Sequence, residues 1–353
     1  SDVCSSDLKE VEIGLDLKVL DNRGQIDFTY YNRLTDNMIL FRSVAPSAGG
    51  TSQIFNFADI TNKGIELVAS YKVFRKDNGF NWDIYTNYTR NRNQVDGLEQ
   101  DFPIGGLSTT AFIARNGQPI GVLEGSVAEV QVDKDGNQVL DANGNPYTVV
   151  DANGVPVAST EKGEYGNSQV NYMLGLGSKL RYKSWSLNLL FDARQGGLMF
   201  SRTADINYFT GNSIKTTYND RKPFVYPNSV QKIDNGDGTY SYEENTIAVD
   251  PAHMDDYHRA DAFDRQQVID KSFVKLRELS ISYSFPASMI ERLPFNGLSF
   301  SLIGRNLFLW TPVDNQFIDP EVTTFGNGIS SEFGEFSANP TTRSYGFALR
   351  FTL

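Results

Sequence analysis

Apolar and polar residues alternate with period two through most of the chain, and no helical stripe competes with that pattern. Val11, Ile13, Leu15, Leu17 and Val19 share one face, with Glu10, Glu12, Gly14, Asp16 and Lys18 on the other. A tight turn at Asn22-Arg23-Gly24 leads to Ile26, Phe28 and Tyr30, opposite Gln25, Asp27 and Thr29, which predicts a β-hairpin. A second hairpin joins residues 65–73 to 80–88 through Lys76-Asp77-Asn78-Gly79, and a third joins 172–182 to 185–192 through Lys183 and Ser184. Three further strands are predicted over 273–285, 298–310 and 341–353. In the second of these the alternation blurs at Gly304 to Asn306, where a bulge can reset the faces. The pattern therefore predicts nine strands.

The connections alternate in length. Those near 22–24, 76–79, 183–184 and 286–297 are short, and those near 43–61, 96–170, 201–271 and 311–340 are long. A meander of this kind places every long loop at one end of the sheet, the layout of a membrane barrel with short periplasmic turns and long extracellular loops. Several strands reach about ten residues, the length a tilted spanning strand needs, against a usual five or six in soluble sheets. Aromatic residues gather beside the short turns: Phe74, Phe80 and Trp82, then Tyr182 and Trp185, then Phe285 and Phe295. Rings at that depth form an interfacial girdle. On the opposite face Glu12, Asp16, Lys18, Glu66, Lys72, Asp83 and Lys179 need water or partners. The expected fold is all-β: an antiparallel transmembrane β-barrel segment, apolar outside and wet inside. A soluble secreted β-sandwich, binding glycans or adhering to surfaces, is the second reading, because alternation alone fits it too.

Composition narrows the classes. The 353 residues carry a formal charge of −11, which argues against a nucleic-acid surface, where clustered Lys and Arg are needed. A mean hydropathy of −0.37 leaves no apolar run long enough for a spanning helix, a test that barrels escape. Cys4 is the single cysteine, so a disulfide within the chain and a Cys-based zinc site are excluded. The opening octet SDVCSSDL fits neither a signal peptide nor a strand and reads as foreign to the rest of the chain. Residues 1–8 are thus expected to be a scar on a chain that begins in mid-protein.

Chemical motifs are scarce. The stretch 131–158 repeats Asp and Asn before Gly136, Gly144 and Gly154, but its glycine spacing fails the calcium-loop template. Asp-Gly and Asn-Gly turns explain it better, and DNGDGTY at 234–240 reads the same way. His253 and His258, near Asp255, Asp256 and Asp261, stand at i and i+5 in a stretch with no clear helix, a poor metal set. With no nucleophile–base pair, phosphate loop or paired carboxylates, neither an enzyme nor a cofactor is expected. The loop 201–271 is rich in rings, and Tyr208, Phe209, Tyr218, Tyr226 and Tyr257 are the candidates to contact substrate. The alternatives for such rings are packing within the loop or facing a partner protein.

The C-terminal third adds specific strings. DRQQVIDKSFVKLRELSISYSFP (264–286), GRNLFLWTP (304–312), DPEV (319–322) and NPTTRSYGFALRFTL (339–353) resemble, in order and spacing, the end of the SusC/RagA family of TonB-linked outer-membrane transporters. NKGIELVASYKV (62–73) and FNWDIYTNYTRNRNQV (80–95) are similar to two more of its strands. The resemblance covers nearly everything after about residue 10. It implies a barrel of about 22 strands with a plugged lumen, of which residues 9–353 would be the last nine. The plug domain and the TonB-contact segment would lie upstream. It implies import of oligosaccharides or peptides across the outer membrane of a Bacteroidetes-type Gram-negative cell. The implied partners are a SusD-like surface lipoprotein as lid, the TonB complex acting through the upstream part, and outer-membrane lipid.

Overall fold

A computed structural model of the chain describes residues 6–77, 79–315 and 318–353. Cys4, most of the opening octet and Asn78 lie outside the described residues. Nine antiparallel strands form one sheet in which chain order is spatial order. They are β1 (Asp7–Val19), β2 (Gly24–Asp36), β3 (Asp59–Phe74), β4 (Phe80–Asp96), β5 (Tyr172–Tyr182), β6 (Trp185–Gln195), β7 (Phe273–Ser284), β8 (Gly297–Trp310) and β9 (Ser344–Thr352). All nine predicted strands are present, and several extend further toward the long loops than their alternation shows. Strand β1 starts at Asp7, with Asp7 and Leu8 opposite Asp36 and Thr35.

Register carries the two-faced pattern across the sheet. Leu15 pairs with Phe28, Phe28 with Leu67, Leu67 with Tyr88, and Tyr88 with Leu174, all apolar or aromatic on one face. Farther along, Leu187 pairs with Ile281, Ile281 with Leu302, and Leu302 with Phe347. These side chains have no second layer over them: Ile13 is 63% exposed and Phe347 72%. A sandwich would bury such stripes against a facing sheet, and among the described residues no sheet packs there. A polar residue on this face is satisfied within the wall, since Trp82 Nε1 donates to Ser178 Oγ at 3.0 Å. The other face is polar, with Lys179 opposite Asp83 and Ser186 opposite Ser282. Gly177 lies on this inner face, where an added Cβ would come within 1.9 Å of the Tyr85 ring.

Aromatics line the short-turn end in contact with one another. Phe74 meets Phe80 and Trp82, Trp185 meets Tyr283 at 4.8 Å, Tyr283 meets Phe285, and Phe295 meets Phe351. The first turn sits slightly earlier than its glycine suggests. Leu20, Asp21 and Asn22 adopt positive φ and Arg23 N–H bonds to Leu20 O, while Gly24 already pairs with Val19. In β8 the predicted bulge is real: register shifts between Leu276 and Glu278 opposite Phe308 and Arg305, with Asn306 at φ 51°.

The long connections fold into small sheets and short helices instead of running as open loops. In 131–158, Asp133 Oδ1 accepts from the backbone N–H of Asp135 and Asn137, and Asp141 and Asp151 repeat the turn. Gly136, Gly144 and Gly154 take the positive φ each turn needs. Around His253 the expectation of no helix fails. Residues Met254–Arg259 form a short α-helix, and six residues are too few to show a stripe.

The wall predicts unequal tolerance on its two faces. Leu189 lies mid-strand between Ser178 and Leu279 on the apolar face. Leu189→Arg should cost about 2–4 kcal/mol. Asn188→Arg on the inner face should lose about 1 kcal/mol at most, the hydrogen bond from Nδ2 to Ser280 Oγ. Denaturant unfolding of both variants in lipid vesicles measures the difference, and equal costs would contradict the assignment of faces.

Candidate functional site

Most of the buried apolar core lies in the loop layer, joined by residues such as Ile60 and Val95 at the loop ends of the strands. Phe112, Leu123, Tyr165, Phe200, Val268 and Phe333 form one cluster that draws on three of the long connections. Phe200 and Phe333 stack at 5.1 Å. Phe57, Ala58, Ile60, Val95 and Ala114 form a second cluster and Val155, Phe224 and Val249 a third. Burying this much apolar surface gives the layer its own stability and fixes what it presents outward.

Charge ties this layer to the mouth of the lumen. Lys275 on β7, 2% exposed, donates to Asp319 at 2.5 Å and also reaches Glu321. Arg277, an extra residue of β7 where its register with Leu190 and Phe191 of β6 shifts, joins Glu321 at 2.8 Å and Asp192 of β6 at 2.6 Å. Thr341 donates to Asp319, and Arg194 reaches the Pro320 carbonyl. Burial alone would push the Asp319 and Glu321 carboxyls up, but the cations and hydroxyl beside them hold both below their usual range. Deeper in the loops, Lys271 meets Glu332 at 2.5 Å, burial pushing its ammonium down against that pairing. Glu335 is fully buried, taking hydrogen bonds from Ser201 and Thr203 at the start of the helix Arg202–Phe209. The connection 311–340 is therefore strapped inward across the mouth.

None of these charged groups was singled out from the sequence as a site. The available signal was the pair of strings carrying Lys275, Arg277 and the DPEV segment, whose partners lie 44 to 46 positions apart. In the structure the two strings are halves of one ion cluster.

The five candidate rings are placed differently from one another. Tyr226 and Tyr257 pack together with Phe224 and Phe263, and burial pushes both phenols up. Tyr208 is 6% exposed, beneath the Lys215 ammonium. Phe209 is 47% exposed and carries the Arg259 guanidinium over its ring at 4.7 Å. Tyr218 is 54% exposed, with its edge on Phe224. Two rings of the five thus face outward, and three pack the loop. His253 pairs with Asp256 at 3.2 Å, whereas half-buried His258 packs on Tyr257 and is pushed down by burial and by Arg221. Among the described residues no group of three His, Cys, Asp or Glu side chains is arranged to hold a metal. One buried carboxyl stands apart: Asp264 is pushed up to about 7 by burial and by Asp261 and Asp205, with Gln267 bridging it to Asp205.

Comparison with known proteins agrees with this architecture. Residues 8–159 match the family described as TonB dependent receptor-like, beta-barrel. TonB-dependent receptor P3 of Formosa agariphila is 26% identical over 330 residues, covering 89% of this chain and 30% of that protein. TonB-dependent receptor P26 of the same organism is 24% identical over 361 residues, covering 97% of this chain and 34% of that protein. The chain is similar to the β-barrels of TonB-dependent receptors. Its fold matches the RagAB peptide transporter with a TM-score of 0.65 at 19% identity, over 98% of this chain and 35% of that one. The RagAB peptide importer in its closed-closed state gives 0.65 at 18% identity, with the same coverage. The chain spans about a third of the length of each of these relatives. Likeness to TonB-dependent receptors implies the outer membrane, and the uncovered apolar face of the wall fits a membrane setting.

The ion cluster makes a testable prediction. Lys275→Met leaves buried Asp319 without its cation, which should cost about 3–5 kcal/mol locally, while half-buried Glu321 keeps Arg277. Hydrogen exchange over 311–341 should rise while β2–β4 stay protected. Unchanged protection of that connection would show that the cluster does not hold it.

Proposed function

We propose that residues 9–353 supply about the last nine strands of a 22-strand-class barrel that imports oligosaccharides or peptides across the outer membrane. The observation that carries this reading is the polarity of the wall along both of its axes. It is apolar outside and polar inside, with tight turns at one end and a folded loop layer at the other. Among the described residues both edge strands of the sheet, β1 and β9, have one neighbour each, which supports further strands completing the cylinder. The one-third coverage of the relatives supports the same division. The expected boundary at residue 8 moves back, because Asp7 and Leu8 already pair with β2 in the wall; on this reading a plug fills the lumen, and the TonB complex acts on the plug. The loops near 96–170 and 201–271 face cargo and a SusD-like surface lipoprotein of a Bacteroidetes-type cell. The role is transport rather than catalysis. RagAB is described as a peptide transporter, which favours peptides as the first cargo to test, with oligosaccharides beside them.

Among the ring candidates, Phe209 and Tyr218 are the two proposed to touch cargo, because they are the ones that offer a face to solvent. In the complete transporter, Phe209→Ala and Tyr218→Ala should each weaken cargo binding about twofold to twelvefold, the worth of one aromatic contact of about 0.5–1.5 kcal/mol. Titration calorimetry against oligopeptide and oligosaccharide pools reads both the loss and the cargo class. Binding of neither pool would contradict the proposed function, and full affinity in both variants would remove these rings from the site.

A further inference from the structure

The lipid-facing side of the wall is not smooth. Across β2 to β5 lies a dent of about 210 Å3, lined almost wholly by carbon. Small residues make its floor: Gly24 opposite Tyr71, and Ala69 between Ile26 and Thr86 in register. Val19, Tyr71 and Leu176 stand around it. Thr86 donates its hydroxyl to the Gly175 carbonyl at 2.9 Å, so its methyl group is what it offers to the dent.

We propose that this dent seats an acyl chain of a membrane phospholipid in the leaflet on the short-turn side; the proposal rests on the outer-membrane placement above. Depth supports it. Ala69 stands about five residues from the end of β3 at Phe74, roughly 17 Å along a strand rising about 3.4 Å per residue. A tilt of about 45° brings that to roughly 12 Å below the aromatic girdle, within the ~15 Å of hydrocarbon that one leaflet supplies. A chain entering beside Tyr71 passes Gly24 and ends against Leu176. Its headgroup then lies level with exposed Arg23 and Lys76, which have Asp21 and Asp77 beside them on the same turns. Shape selects the occupant. A neighbouring protein wall would rest on the proud side chains and bridge the recess, whereas a thin flexible chain fills it and gains dispersion contacts along its length. Of the polar lining residues, Thr86 spends its hydroxyl on Gly175, and Ser70 and Tyr85 pair with each other at positions of the inner face.

Photolabelling tests this in the complete transporter, reconstituted in phospholipid vesicles that contain a phospholipid with a diazirine on its acyl chain. Label should concentrate on 19–26, 69–71 and 84–86. It should fall about tenfold, equivalent to about 1.4 kcal/mol, in Ala69→Phe, which fills the dent. Ile281→Phe, elsewhere on the same face, should leave the dent's labelling unchanged. Label spread evenly over the outer face and indifferent to Ala69→Phe would overturn the dent as a site while leaving the membrane placement standing. Absence of label from the whole face would overturn both. A cross-link between two copies through the dent would replace the lipid with a protein contact. If Ala69→Phe fails the heat-shift test of barrel folding, the wild-type map alone decides between concentrated and even labelling.

Discussion

A strand in hydrocarbon has no water for its N–H and C=O groups, so each must be paired with a neighbouring strand. That constraint governs the rest of the structure. It makes the wall one uninterrupted meander in which each strand bonds to the next in sequence. It also forces each strand to divide its side chains between two solvents, because successive residues point to opposite faces. Leu15, Phe28 and Leu67 can then stay uncovered without penalty, since acyl chains take the place of a core. Glu12, Glu66 and Lys179 lie on the side that meets water.

Released from burial in the wall, the chain places its true core in the connections. Phe112, Phe200 and Phe333 come from three different loops and pack as the centre of a small globular domain would. The ion cluster then fixes that domain to the mouth of the lumen. Lys275 and Arg277 belong to the wall, Asp319 and Glu321 to the last long connection, and their union makes a single rigid rim from parts far apart in sequence. The exposed rings of Phe209 and Tyr218 belong to the same loop layer.

Legibility in the sequence tracked the range of the interactions. Strands were readable because period two is local, and the girdle because Trp82, Tyr182 and Trp185 stand beside short turns. The bulge at Asn306 showed as a break in alternation. Much less was visible in the loops. Strands there run only a few residues and pair with distant partners, and the helix at 254–259 is too brief to show a stripe. The first turn was displaced because Leu20, Asp21 and Asn22 take the left-handed conformation in place of the glycine. Ring chemistry alone could not separate Tyr257, packed among Phe224, Tyr226 and Phe263, from Tyr218, which faces outward. The DPEV string was noticed through family resemblance, but its function as a counter-charge needed coordinates.

Site-directed spin labelling along β5 and β6 in lipid vesicles tests the two-solvent wall most directly. Labels stepped one residue at a time through 173–181 and 186–194 should alternate strictly. Even-numbered sites on β5 and odd-numbered sites on β6 should favour dissolved oxygen, which partitions into hydrocarbon, and the sites between them a water-soluble nickel chelate. Loss of the alternation, with the Leu176 and Leu189 sites open to the nickel chelate or shielded from both reagents, would contradict the account.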